Sequence, residues 1–315
     1  MHHAPRRLTP LLAVALLLPL VTPAARAQEG EAVDLRPAWT EGRVTRYAFD
    51  STRTDRTVVT FNDQTREGVS SFESAGEMTW TVVEVNRNGS AEVEVVYDWL
   101  ELSFTPPEDG ETQSADSRER GGNERLKALV DAVVGQPLTV TFAADGSLES
   151  LDGVDRIKSR AAFPEAVPEE RDFRESFTDA ICLPAAPAEA EVGDDWEQSF
   201  TWNHRLGEMA YDTTYELVGV EDMAEVPVAT VRAASELDLR VDKSDVPPDA
   251  PPINTSLESV EATQDILFDL SRGEAVGRHE SQRYTVVVSM NAPEMRMNQR
   301  ITQQIERQMI RIAEE

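Results

Sequence analysis

The sequence predicts a mainly β protein made of two related antiparallel β-sheet or half-barrel lobes, with a few short helices and an N-terminal signal peptide. Three observations predict this fold: alternating strands around Asn88-Gly89, a similar set of strands after Val192, and only short stretches with helical spacing. We therefore expect four segments, which are a signal peptide at 1–27, a first β lobe with a short helix at 37–154, a Pro-rich and partly helical connector at 155–192, and a second β lobe at 193–315.

The N-terminus has the pattern of a secretory signal peptide. Arg6-Arg7 precedes the apolar run Leu11–Leu20, and Ala25-Arg26-Ala27 supplies a small-x-small cleavage pattern. A membrane-spanning helix needs about 20 apolar residues, which is more than this run contains, and no later segment reaches that length. We expect cleavage between Ala27 and Gln28, a periplasmic or extracellular protein, and no transmembrane segment in the mature chain.

The charge of the chain argues against nucleic acid as a partner. The 315 residues include 30 Lys and Arg against 58 Asp and Glu, a formal net charge of −28. Three of the basic residues and none of the acidic ones fall in 1–27, so the mature chain carries −31. A binder of the phosphate backbone needs clustered Lys and Arg. We expect a self-repelling acidic surface and no nucleic acid partner.

The first lobe begins with short β-rich runs and a hairpin at Asn88-Gly89, a dipeptide typical of tight β-turns. The strand after this turn alternates, and its apolar residues share one face: Ala91, Val93, Val95, Tyr97 and Trp99. From Leu100 the apolar phase moves to even numbers, which indicates either a β-bulge or a strand that passes from one packing environment to another. Residues 105–123 are turn formers and charges, and we expect an exposed loop there. A short helix at 124–134 and a second hairpin at Asp145-Gly146 complete the lobe.

The second lobe repeats part of this pattern. Residues 79–85 resemble 214–220, and each stretch follows a Gly-Glu-Met triplet, at Gly76 and Gly207. We interpret the likeness as a weak internal duplication. Strand parity places Trp196 and Phe200 on a core face, so we expect both of these rings, with Trp99, to be buried. Residues 242–257 contain two Pro-Pro pairs and predict a long loop.

The C-terminal segment fits two structures. Residues 294–312 have apolar side chains at strand parity, but four of these side chains also fit helical spacing. The Gln, Arg and Glu-rich composition favours a helix. Asn291-Ala292-Pro293 is typical of a connection between hairpin strands, and it favours a strand.

Three local patterns resemble an exported bacterial family catalogued as a domain of unknown function. They are Asp116-Ser117 with a short helix, the following strand and Asp145-Gly146, then Leu183-Pro184 with 192–196, and finally the alternating terminal segment after Arg272-Gly273. Together they span most of the mature chain. The resemblance implies a two-part antiparallel β protein outside the cytoplasm, and it implies no catalytic residue.

Candidate catalytic residues are few. After residue 27 the only histidines are His204 and His279, and either could serve with a carboxylate as an acid–base pair. The chain lacks a Gly-x-Ser-x-Gly elbow, a phosphate-binding loop, a dinucleotide fingerprint and a His-Glu-x-x-His motif. We expect no metal site and no cofactor. Cys182, the single cysteine, lies between Ile181 and Leu183 and predicts a small buried apolar residue rather than a nucleophile.

Three functions remain open from the sequence. The favoured one is a non-enzymatic envelope protein that binds an apolar ligand or an envelope protein. The second is a hydrolase that uses His204 or His279, and the third is a purely structural or interaction protein. An enzyme would bring a histidine and acids into one cleft, whereas a carrier would have an apolar cavity.

Overall fold

A computed structural model describes residues 32–107, 110–178, 180–204, 207–240, 253–292 and 295–312. In these ranges the chain forms twelve β-strands and three α-helices. The strands are β1 Val44–Phe61, β2 Gln64–Val85, β3 Ala91–Thr105, β4 Gln113–Asp116, β5 Pro137–Phe142, β6 Leu148–Asp152, β7 Asp195–His204, β8 Gly207–Met223, β9 Val226–Arg240, β10 Ile253–Asp269, β11 Glu274–Ala292 and β12 Met295–Ile312. The helices are α1 Glu124–Val133, α2 Val154–Arg160 and α3 Glu170–Phe177.

All twelve strands belong to one antiparallel sheet. Its order is β6-β5-β3-β2-β1-β12-β11-β10-β9-β8-β7, with β4 paired to β3 beside this path. Among the described strands, β6 and β7 lie at the two edges and do not pair with each other, so the sheet is open rather than closed on itself. The predicted mainly β, antiparallel fold with short helices is confirmed. The predicted signal peptide, including Ala27 and Gln28, lies outside the described residues.

The strand order shows how the two halves of the chain are related. The series β1, β2, β3, β5, β6 and the series β7 to β11 run across the sheet in the same spatial order, and β12 lies between β1 and β11. Both halves have a register shift at a matching place, at Val83 between β2 and β3 and at Val218 between β8 and β9. These shared features agree with the internal duplication that the sequence suggested.

The hairpin predictions are confirmed, and so is the C-terminal strand. Gly89 and Gly146 have φ angles of 88° and 82°, a left-handed conformation that glycine adopts without steric cost. β12 pairs with β1 on one side and β11 on the other along nearly its whole length. The two neighbouring strands provide hydrogen-bond partners for the backbone of β12. Because these partners are distant in sequence, the mixed periodicity of 295–312 does not by itself show that the segment is a strand.

Two loops predicted from the sequence are shorter than expected. Within 105–123, the four residues of β4 pair with β3, and Ala115 is 3% exposed, so a buried apolar residue interrupts the polar stretch. Within 242–257, the last five residues belong to β10, where Leu257 lies opposite Val286 of β11. In both places the pairing partner is distant in sequence, and its contribution is not visible in local composition.

The main core lies at one end of the sheet, under the three helices. Trp80 is 2% exposed, and its ring meets the rings of Phe177, Tyr47 and Phe142 at centroid distances of 5.3, 6.4 and 6.3 Å. Asn123 caps α1 by accepting hydrogen bonds from the backbone N–H groups of Arg125 and Leu126. The helix α1 packs against β3 and β4, and α3 comes close both to β6 at this edge of the sheet and to β7 at the other edge.

The three rings predicted to be fully buried are not. Trp99, Trp196 and Phe200 are all partly exposed. The predicted β-bulge is present, but it falls at Asp98, between the pairs Tyr97–Met78 and Trp99–Glu77. Trp99 is therefore turned to the opposite face from Tyr97. Trp196 stacks on Tyr215 with ring centroids 5.3 Å apart. Its strand, β7, lies at the edge of the sheet and has a neighbouring strand on one side only.

Candidate functional site

A cavity of about 1010 Å³ lies along one face of the sheet. Its walls include residues of β3 and of β8, which are seven strand positions apart. In a flat sheet that separation would be about 34 Å at the usual strand spacing. The sheet must therefore curve, and we call the lined side the concave face. The helices α1 and α3 bound the cavity at one end, through Leu129 and Phe173.

Aromatic and aliphatic side chains form much of the cavity wall near the helices. Phe49 of β1 packs edge-on against Tyr97 of β3, with ring centroids 5.8 Å apart. Gly76, opposite Phe49, makes this possible, because a Cβ there would lie 2.6 Å from the Phe49 ring. The bulge at Asp98 keeps both Tyr97 and Leu100 on this face. The cavity wall therefore depends on the same irregularity that turns Trp99 away.

A row of polar side chains crosses the concave face in the middle of the sheet. The Tyr284 hydroxyl of β11 donates to Oε1 of Gln303 on β12, and Gln303 Nε2 donates to Oδ1 of Asp55 on β1 at 2.8 Å. Arg53 in turn contacts Asp55 at 2.8 Å. Tyr284 and Gln303 are both 7% exposed. Each member has a partner on a neighbouring strand or two residues away, which offsets the cost of burying it.

The second polar group on this face is an Arg-Glu-Arg triad. Glu280 of β11 is 3% exposed, and its carboxylate lies 3.3 Å from Arg278 and 3.5 Å from Arg307 of β12. Gln282 Nε2 also donates to this carboxylate. Arg278, Glu280 and Arg307 line the cavity. The triad places two guanidinium groups and one carboxylate in a wall that also contains the Arg53–Asp55 pair and several apolar side chains.

A separate buried charge cluster joins the β10–β11 turn to β1 and β12. Glu274 is 3% exposed and lies 2.8 Å from Arg272, 3.0 Å from Arg311 and 3.6 Å from Arg43. Arg311 also contacts Asp269 at 2.9 Å. Burial alone would raise the pKa of Asp269, but hydrogen bonds from Ser271 and Arg311 outweigh burial and hold that pKa below its usual value.

The structure does not bring the two candidate catalytic histidines together. His204 ends β7, where its backbone pairs with Gly207. His279 lies on β11, four strand positions away in the sheet. Its side chain is 58% exposed, 3.7 Å from Glu306, on the face opposite the cavity. Cys182 is 2% exposed, and burial raises the pKa of its thiol well above the usual value, as the prediction of a small buried residue requires.

Replacing His279 with alanine is expected to leave ligand binding and stability unchanged. The His279 imidazole is more than half exposed, and its contact with Glu306 is a surface pair, for which about 0–1 kcal/mol is typical. The test is chemical denaturation together with a titration of the protein with the apolar fluorescent probe N-phenyl-1-naphthylamine, and His279→Gln serves as a second variant. A large loss of stability with His279→Ala would show that the imidazole contributes to the fold, and a loss of binding in a folded variant would show that the face opposite the cavity takes part in binding.

Comparisons with known proteins give a family and two distant folds. The sequence profile of a family described as "Family of unknown function (DUF6263)" matches residues 88–247. No curated protein matches the chain. A structure titled "Lipid-protein interactions in lipovitellin" aligns at 13% identity and a TM-score of 0.42, over 88% of this chain. This chain spans 26% of the length of that lipovitellin chain.

A second solved structure, an outer membrane channel from Pseudomonas putida F1, aligns at 8% identity and a TM-score of 0.22, over 88% of this chain and 97% of the channel. Both similarities are too low to support an argument about function. None of the helices in the described ranges has the length and apolarity needed to cross a membrane.

Proposed function

Because the chain belongs to this family of unknown function, whose description names no activity, we propose a function from the cavity: the protein is an exported, non-enzymatic carrier that binds an apolar ligand on its concave face. The observation that carries this proposal is the cavity of about 1010 Å³ with Phe49, Tyr97 and Phe173 in its walls. Ligand sites are typically concave and mostly apolar, with a few polar groups that orient the ligand, and they occupy about 300–1,000 Å³.

The position of the cavity supports the same conclusion. Its lining comes from β1, β2 and β3 of the first half and from β8 and β11 of the second half, so both halves contribute to one site. The core under the helices is packed by Trp80 and its neighbours, and a smaller buried cluster of Met209, Tyr284 and Val286 borders the cavity from the second half. An apolar ligand placed there would remove exposed carbon from water, which stabilises the complex.

The proposal is tested with the neutral fluorescent probe N-phenyl-1-naphthylamine. The wild-type protein is expected to bind the probe and raise its fluorescence, and long-chain alcohols are expected to displace it. Ser51 of β1 lines the cavity, and Ser51→Trp is expected to abolish binding by filling the space. Thr52, the next residue, is exposed on the opposite face, so Thr52→Trp is the matched control and is expected to bind like wild type.

Circular dichroism and the denaturation midpoint verify that both tryptophan variants fold. If the folded wild type does not bind the probe, or if Ser51→Trp binds it as well as Thr52→Trp does, the cavity is not the ligand site. Native mass spectrometry of protein purified from its own envelope identifies the natural ligand. If a protein co-purifies and no lipid does, the proposal of an apolar ligand is wrong and a protein partner takes its place.

A further inference from the structure

The charges that line the cavity are balanced. Among the described lining residues, each arginine lies within 3.5 Å of a carboxylate of the same lining. The arginines are Arg53, Arg171, Arg278 and Arg307, and their carboxylate partners are Asp55, Asp172 and Glu280. Asp50 is the fourth acid of this lining, so four formal positive charges meet four negative ones.

A ligand with a charged head group would add an uncompensated charge to this balanced lining. Taking an ion out of water is costly unless a counter-charge replaces the water, and the charged groups of the lining already contact one another. The formal net charge of −28 further disfavours the approach of an anion to the protein. The charges of the cavity therefore favour a ligand without net charge.

The hydroxyl groups of the lining, in contrast, are not paired with one another. Ser51 of β1 lies directly opposite Ser74 of β2, and both residues line the cavity. Elsewhere in the sheet such opposite hydroxyls do meet, as in the 3.0 Å contact between Thr285 and Thr302. Neither serine side chain has a hydrogen bond to any described residue, so both hydroxyls can donate to a ligand and accept from it.

Polar and apolar positions are separated along the concave face of β1 and its neighbours. From the serine pair toward the β1–β2 turn, Thr57 and Ser70 add two more hydroxyls to the lining. In the other direction, Phe49 of β1 and Leu100 of β3 line the cavity on the way to Phe173 of α3. A ligand with oxygen atoms at the serine pair would therefore have hydrocarbon contacts on the side of the helices.

We propose that the ligand of the cavity is an amphiphile without net charge, whose hydroxyl or ester oxygens bind Ser51 and Ser74 and whose hydrocarbon chain lies along Phe49 and Leu100. This inference rests on the proposed function and names the chemical class of its ligand. It requires that an uncharged head group with oxygen atoms binds better than a charged head group on the same chain.

The test compares three amphiphiles with hydrocarbon chains of equal length: monotetradecanoylglycerol, tetradecanoate and tetradecyltrimethylammonium. Each is used below its micelle concentration to displace N-phenyl-1-naphthylamine from the full chain. The salt concentration is about 0.15 M, so that long-range attraction or repulsion by the acidic surface is screened. Wild type is expected to bind monotetradecanoylglycerol more tightly than either charged amphiphile.

The double variant Ser51→Ala/Ser74→Ala tests the two hydroxyls directly. It is expected to weaken the binding of monotetradecanoylglycerol by about tenfold, because hydrogen bonds to neutral groups are lost. The affinity for N-phenyl-1-naphthylamine is expected to stay unchanged, since the probe has no hydroxyl or ester oxygen and the apolar wall is intact.

A matched pair of hydroxyls on the same two strands serves as the control. Thr54 of β1 lies directly opposite Ser71 of β2, and strand alternation places both on the face opposite the cavity. Thr54→Ala/Ser71→Ala removes two hydroxyls without touching the lining. We expect this variant to bind all three amphiphiles like wild type, and circular dichroism with the denaturation midpoint verifies that both double variants fold.

The possible failures are distinguishable. If wild type binds the probe but binds tetradecanoate or the ammonium compound as tightly as monotetradecanoylglycerol, the inferred ligand class is wrong and the carrier function stands. The same conclusion follows if the folded Ser51→Ala/Ser74→Ala variant binds monotetradecanoylglycerol like the control variant. If wild type binds neither the probe nor any of the amphiphiles, the carrier function itself is wrong. Should the alanine variant not fold, the order of the three affinities in wild type still decides the ligand class.

Discussion

Glu274→Ala is expected to lower the free energy of unfolding by about 3–5 kcal/mol, because it leaves buried arginines without their carboxylate. Glu274 is 3% exposed and contacts Arg43, Arg272 and Arg311. Removing Glu274 takes one carboxylate away from three partly buried arginines, and Arg311 keeps its contact with Asp269, so the positive charge of the cluster is less well compensated. The measurement is denaturation in urea or guanidinium chloride, with the midpoint and the slope fitted together.

The control for this prediction is Glu258→Ala. Glu258 also contacts an arginine, Arg300, at 3.0 Å, but the two side chains are 44% and 52% exposed. A surface pair of this kind contributes about 0–1 kcal/mol. Equal and small losses in the two variants would show that the Glu274 cluster is solvated and does not hold the β10–β11 turn against β1 and β12.

Trp80→Ala is expected to lower the free energy of unfolding by about 3–5 kcal/mol, the usual cost of truncating a buried aromatic residue. The Trp80 indole is 2% exposed and contacts the rings of Phe177, Tyr47 and Phe142. Its loss opens a cavity between the sheet and α3. The denaturation midpoint measures the effect, and loss of near-ultraviolet circular dichroism reports the loosened packing.

Trp99→Ala is the matched comparison, and its expected loss is clearly smaller. The Trp99 ring is partly exposed, with the Arg118 guanidinium 3.7 Å above it, a cation–π contact that contributes about 0.5–1 kcal/mol at such sites. If Trp99→Ala destabilised the protein as much as Trp80→Ala, Trp99 would belong to the core, and the placement of the bulge at Asp98 would be wrong.

Strand identity could be predicted from the sequence because apolar alternation and turn residues are local signals. Asn88-Gly89 and Asp145-Gly146 specify their hairpins without help from distant residues. The exact position of the bulge could not be predicted in the same way. Tyr97, Trp99 and Leu100 are all apolar, so the extra residue of the bulge can lie before or after Trp99. The pairing of Glu77 with Trp99 and of Met78 with Tyr97 places it before Trp99, at Asp98.

The concave cavity was not predictable residue by residue. Arg278, Glu280 and Arg307 are charged, and charged side chains on a strand are mostly exposed, so nothing in their local sequence marks them as residues of a cavity. Strand parity offered one signal, since Arg278 and Glu280 share parity with Tyr284, Val286 and Val288 on β11. Charged residues at apolar positions of a strand indicate a buried polar group, but only the pairing with β12 shows which charges meet.

The central place of β12 has a consequence for the order in which the protein assembles. Within each half, the strands pair mainly with neighbours in sequence, so the two meanders can form as the chain emerges. The contact between Gln303 and Asp55, in contrast, joins residues 248 positions apart. Closing such a long loop is entropically costly and slow. Until the last strand is inserted, β1 and β11 are open edges that can pair with other chains, and the cavity between the halves does not yet exist.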